Sequence, residues 1–333
     1  MKKFKIFCLC VVSIIGIILL GTIENVSAAT QKSIIKKGVF VTNGSYVYGK
    51  ADHYSIYRMK KNGTDKKIIF NSAWVRSEDI FLRGNYLYFL AGGNGTAEWW
   101  GYLYKMSIKD FSYQIINYHK AEAMAMVGKK IYLSVHDSGN IVGNEGNSDR
   151  IVSVDLNGNH MKNFIRGNAH ILAVANSKLI YSRYKNNKQY VYITNTKKIK
   201  STKKLKSVTN YVRQIIGDKI YYLQREPDTF YYRLMSWNIK TKENSIVKVG
   251  NYRTGYIDGK YLYYTTDQGI YKQRLGSSAI TCVRKLKYAA ITHVESGYLY
   301  GHCYVPGSAK NTKSFVMRTS GKGFRILKTY FVS

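Results

Sequence analysis

The sequence predicts an all-β chain folded as a β-propeller of four-stranded antiparallel blades, and three observations carry that prediction. A short phrase, a Gly or Asn turn followed by an aromatic strand, recurs seven times in the chain's 333 residues. Each copy is followed by a second strand and usually by a tight polar turn. The composition, with 31 Tyr, 28 Gly, only 2 Pro and 45% hydrophobic residues, suits pleated strands joined by tight turns around a packed core.

The phrase stands first at Gly44-Ser45-Tyr46-Val47-Tyr48 and again at Gly84-Asn85-Tyr86-Leu87-Tyr88. Its marker tyrosines are Tyr48, Tyr88, Tyr132, Tyr181, Tyr222, Tyr263 and Tyr300, spaced 37 to 49 residues apart, the period of one four-stranded propeller blade. Second strands follow at Ile56-Tyr57-Arg58-Met59, Leu103-Tyr104-Lys105-Met106 and five equivalent places. Asn62-Gly63, Asn157-Gly158 and Gly276-Ser277 then supply the positive φ of a tight hairpin. A short apolar strand such as Lys67-Ile68-Ile69-Phe70 closes the unit. Seven phrases predict seven blades, with six left open if one chain end only completes another blade's sheet. Both faces of a blade lie against neighbours while its rims stay wet, so a broad side chain with one polar end fits the repeated position, and the repeated tyrosines read as core.

Residues 1–29 follow a different logic. Lys2, Lys3 and Lys5 precede the apolar run 6–23 and the small-residue site Val26-Ser27-Ala28, the pattern of a secretory signal peptide cleaved near Ala28-Ala29, with an uncleaved anchor as the alternative. The expected division is therefore a signal peptide over 1–29 and a single propeller domain over 30–333. That places the mature chain outside the cell or at its envelope. Only Cys282 and Cys303 remain after cleavage; their expected places, an outer strand and a position near an inner one, favour two buried free thiols over a disulfide.

The unit is clearest at Asp258-Gly259-Lys260-Tyr261-Leu262-Tyr263-Tyr264, followed by Gly269-Ile270-Tyr271 and Leu275-Gly276-Ser277. It resembles the bacterial exported propellers of unknown function, which are themselves similar to the YWTD propellers of low-density-lipoprotein-receptor-related proteins. The resemblance covers nearly all of the mature chain, and it implies a propeller used to bind a protein or another ligand.

Lys and Arg number 52 against 19 Asp and Glu, a net charge of +33. Such a field attracts polyanions. The expected partners are therefore an anionic cell-wall polymer, a glycan or an extracellular protein, with nucleic acid and peripheral membrane contact left open. The densest basic cluster is Lys197, Lys198, Lys200, Lys203, Lys204 and Lys206; its plainer explanation is an outer edge strand kept from aggregating by exposed lysines.

Ligand sites on propellers are built from loops at the ends of rigid blades, so departures from the repeat are the candidates. The tract 92–100 ends in Trp99 and Trp100, which alternate across a strand, so at most one of them is a platform. His136 and Asp137 open a second long loop, and Arg225 to Tyr231 mixes charge with aromatics in a third. Neither a metal nor a cofactor is expected: the seven histidines do not recur at metal-ligand spacing, and the 136–149 oxygen donors lack EF-hand spacing. No pair of carboxylates falls where the register would bring it to the axis, and there is no Gly-x-Ser-x-Gly, phosphate-loop or His-Glu-x-x-His motif. The expected function is accordingly a non-catalytic binding or scaffolding propeller at the envelope, with a glycan-active hydrolase or lyase as the alternative.

Overall fold

A computed structural model describes residues 35–327, except 39, 51–54, 76–79, 93–99, 137–149, 176, 186–187, 207, 210–211, 226–231, 249–254 and 305–311. The described chain is built of antiparallel strands, five sets of which form separate four-stranded sheets in sequence order. These are blade 1 (40–70), blade 4 (169–205), blade 5 (212–248), blade 6 (255–285) and blade 7 (290–326).

The remaining strands share one eight-stranded sheet, because Tyr113–Val127 is a single strand of 15 residues. Its first half pairs with Gly101–Ser107, and from Ala121 to Val127 it pairs with Lys130–Val135. The strand is thus the outer strand of blade 2 (80–118) and the inner strand of blade 3 (121–166), and the circuit has seven four-stranded units. Ile35–Gly38 adds a further strand along the inner edge of blade 2. The first strands of blades 1 and 2, 3 and 4, 4 and 5, and 6 and 7 contact one another, and that of blade 1 meets that of blade 7 to close the ring. Each of the seven units has four strands of its own among the described residues, which is one unit more than the six-blade alternative.

The strand order follows from the turns. The turn residues between first and second strands, Gly44, Gly84, Gly128, Gly217 and Gly259, all have φ near +57° or +55°, where a side chain is disfavoured. In the fourth repeat Ser177 takes φ +61° without glycine. All seven marker tyrosines are buried, none more than 5% exposed, and burial raises their hydroxyl pKa values; Tyr88 reaches about 12 although Arg83 opposes the rise. They belong to the packing between blades.

Cohesion at each seam is mainly apolar. At the closing seam Phe40, Val47, Tyr57 and Met59 of blade 1 pack against Tyr300, Val316 and Leu327 at blade 7. The Phe40 ring is stacked on Tyr300 with centroids 4.9 Å apart. Polar clips supplement this packing. The Gln214 side chain both donates to the Ile257 carbonyl and accepts from its N–H, at 2.8 and 2.7 Å, and the Ile171 N–H donates to Ser134 Oγ at 2.8 Å.

Cys282 and Cys303 are both free thiols. Cys303 is buried, as expected, but Cys282 is exposed, because it sits on the outermost strand of blade 6, where no neighbouring strand covers it.

Candidate site at the axial mouth

Inner strands run from one end of the ring to the other. Glu122 is the second residue of blade 3's inner segment, and His170 is the second residue of blade 4's inner strand, Ala169–Ala175. His136 directly follows the second strand of blade 3, whose Val135 pairs with Ala121. The topology therefore delivers three ionisable side chains from two blades to one spot.

There Glu122 bridges two imidazoles. Its Oε1 is 2.5 Å from His136 Nε2 and its Oε2 is 3.1 Å from His170 Nδ1. The Glu122 and His136 side chains are 5% exposed and that of His170 is 21% exposed, so the pair opens to solvent on the His170 side. Burial by itself raises the Glu122 carboxyl, but the hydrogen bonds and charges of His136 and His170 outweigh it and bring it down to about 2. The carboxylate stays ionised and fixes the orientation of both rings, as an acid does beside a working histidine. Beneath lie Ser134, fully buried, and Ser182, which is 1% exposed, faces His170 across the sheet and has no partner for its Oγ. Among the described residues no group of three His, Cys, Asp or Glu is disposed to hold a metal ion.

A second cluster lies where inner strands end, across the seam of blades 6 and 7. His293 Nε2 is 3.3 Å from Glu295 Oε2, and Thr42 of blade 1 donates to Glu295 Oε1. The nearby Asp258 carboxyl is raised by burial, with His293 opposing and the Glu295 charge adding to the rise. Asp258 and Glu295 come from different repeats and influence one another electrostatically.

Of the residues singled out from the sequence, His136 is the one the structure places in a constellation, and its partners were not foreseen. A detectable trace existed in the sequence: Glu122 and His170 each stand six residues before the start of the recurring phrase, at Gly128 and Asn176. Trp100 is 7% exposed, its ring beside Tyr102 with Lys120 Nζ 4.4 Å above its centroid, which makes it the packing member of its pair. Trp99, Asp137 and Tyr231 lie outside the described residues, and Arg225 is exposed at the end of a blade 5 strand. Lys197, Lys203, Lys204 and Lys206 are exposed at blade 4's outermost strand, where Lys204 sits 3.5 Å over the Tyr190 ring. Lys198 and Lys200 share that strand.

No family model matches the chain, and no curated protein does. The resemblance to YWTD-type exported propellers therefore holds only at the level of the propeller. Among solved structures, the chain is similar to one from a study of two prolyl endopeptidases, at 11% identity and a TM-score of 0.60, covering 91% of this chain and 51% of that one. A puromycin-hydrolysing peptidase of Mycobacterium tuberculosis gives 8% identity and a TM-score of 0.62, with 91% and 54% covered. A puromycin hydrolase gives 11% and 0.60, with 89% and 54% covered. The likeness is one of fold, and the chain spans about half the length of the proteins it matches.

Against the expectation of a non-catalytic binding or scaffolding propeller, the solved structures matched over about nine-tenths of this chain are those of peptidases and a puromycin hydrolase. The physical reason for the error is that the repeat encodes blade packing. Packing is the same whether a ring binds a ligand or serves a hydrolytic protein.

Proposed function

We propose that this chain works in peptide hydrolysis, as a propeller that receives peptide at the mouth carrying Glu122, His136 and His170. The observation that carries the reading is the fold match to peptidase propellers over about nine-tenths of the chain. The mouth suits the role: a buried carboxylate orients His170 at the solvent edge, where an imidazole can exchange hydrogen bonds with a peptide backbone.

The test uses quenched-fluorescent peptides, some with internal proline. Cleavage is measured with purified residues 30–333 alone and after their return to a native extract depleted of the protein. The expected result is cleavage raised by the chain in at least one setting and lowered about tenfold by His170→Gln in folded protein. No increase in either setting, or an increase untouched by both His170→Gln and Glu122→Gln, would sink the reading.

A further inference from the structure

One strand of the chain is surplus to the seven blades. Each blade has four strands of its own, yet Ile35–Gly38 adds a fifth to blade 2, and among the described residues no other blade has one. The added strand lies on the axial side, against the inner strand Ile80–Arg83, and also touches the inner strand of blade 1. The pairing is antiparallel and short. Ile35 stands opposite Arg83, Lys36 opposite Leu82, Lys37 opposite Phe81 and Gly38 opposite Ile80.

What this inner edge offers is backbone. Ile80 and Leu82 are buried in the packing against blade 1, Phe81 is buried in the packing against blade 3, and Arg83 donates to the Gly128 carbonyl of the blade 3 turn. With its side chains committed to the seams, the edge presents a row of N–H and C=O groups, a template for an added strand. Such a template takes an extended chain by its main chain, so side-chain sequence matters little to the ladder itself. The strand that fills it has 4 residues, and every blade's own sheet is complete without it. It therefore belongs to the least stable part of the structure, where local opening costs least.

We infer that the inner edge of blade 2 is a strand-addition site for an extended peptide, and that Ile35–Gly38 is a resident occupant which such a peptide displaces. The register also sets a direction. Ile35 lies at the end of the ring where inner strands finish and Gly38 at the end where they begin, the end that carries Glu122 and His170. A peptide entering in the same direction points its carboxyl end at that mouth. As a way of presenting substrate, the site rests on the peptide-hydrolysis reading; as a binding site it is tested without turnover, so the two can fail separately.

The experiment titrates residues 30–333 into a fluorescein-labelled peptide of residues 32–39 and follows fluorescence anisotropy. In the native chain the tethered resident strand competes with the added peptide at a high effective concentration. Lys36→Pro/Lys37→Pro removes that competitor: of two adjacent strand residues one points its N–H at the neighbouring strand, and proline has no N–H to give. The peptide is expected to bind this variant at least about tenfold more tightly than it binds the native chain. Methylating the peptide's own amides at positions 36 and 37 should abolish the binding. A peptide carrying Ile35→Cys should form a disulfide with the proline variant when that also carries Arg83→Cys and Cys282→Ser, since the two positions face each other in the register. The proline variant is expected to unfold in urea as the native chain does, because neither substituted residue belongs to a blade's own four strands. Equal binding to native chain and variant, indifference to amide methylation, absence of the cross-link, or a variant that no longer folds would each overturn the inference.

Discussion

Replacing Glu122 by Gln keeps the shape of the axial site and removes its charge. The Glu122 carboxyl sits at about 2 against an ordinary 4.5, a difference that corresponds at roughly 1.4 kcal/mol per unit to about 3 kcal/mol of folding stability. The folded value is depressed, so this stabilisation is fully present above about pH 4.5 and is lost as pH falls toward 2. Urea unfolding of residues 30–333 and of the Glu122→Gln variant, followed from pH 7 to pH 2, isolates the effect, because every other acid-sensitive group is common to both proteins. The variant should be less stable by about 3 kcal/mol at pH 7, with the gap closing below pH 4.5. A gap absent at pH 7, or constant down to pH 2, would refute the claim that an ionised Glu122 ties blades 3 and 4 together.

Two further outcomes follow from the packing. Phe40→Ala empties a fully buried position at the closing seam, between Tyr300 and Tyr57, and should cost about 3–5 kcal/mol in the same urea assay; a loss below about 1 kcal/mol would mean that the seam contributes little cohesion. In native residues 30–333 a thiol reagent should modify exposed Cys282 promptly and spare Cys303, which is 1% exposed and whose thiol pKa is raised by burial against a smaller opposing effect of Arg284. Unfolding in denaturant should bring the count to two thiols, and a count of zero would reveal a disulfide.

The fold was legible because it is written locally and repeatedly. Each marker tyrosine lies one short turn after a residue with positive φ, and the same burial is met seven times. The join of blades 2 and 3 escaped notice, although Tyr118-His119-Lys120-Ala121 contains no Gly, Pro or Asn where a turn would be needed. A strand that continues and a strand that ends look alike until the missing turn is counted. The axial site was harder to see for a different reason. His136 was singled out as the start of a loop, but its meaning comes from Glu122 and His170, which lie 14 residues behind it and in the next blade. Such a constellation depends on the ring bringing equivalent positions of successive repeats side by side. Aligning the repeats by inner-strand position, rather than by their tyrosines, would have placed Glu122 and His170 together.

The 15-residue strand shared by blades 2 and 3 gives the ring an uneven mechanics. Where two blades touch only through side chains, they can rock by small sliding of packed surfaces; where one backbone ladder runs through both, rocking must break hydrogen bonds. Blades 2 and 3 therefore form a stiff sector, and the compliance of the circle is displaced to its other joints. Glu122 is part of the stiff sector and His170 belongs to the blade hinged beside it. The site thus spans one of the two boundaries between the stiff sector and the rest of the ring.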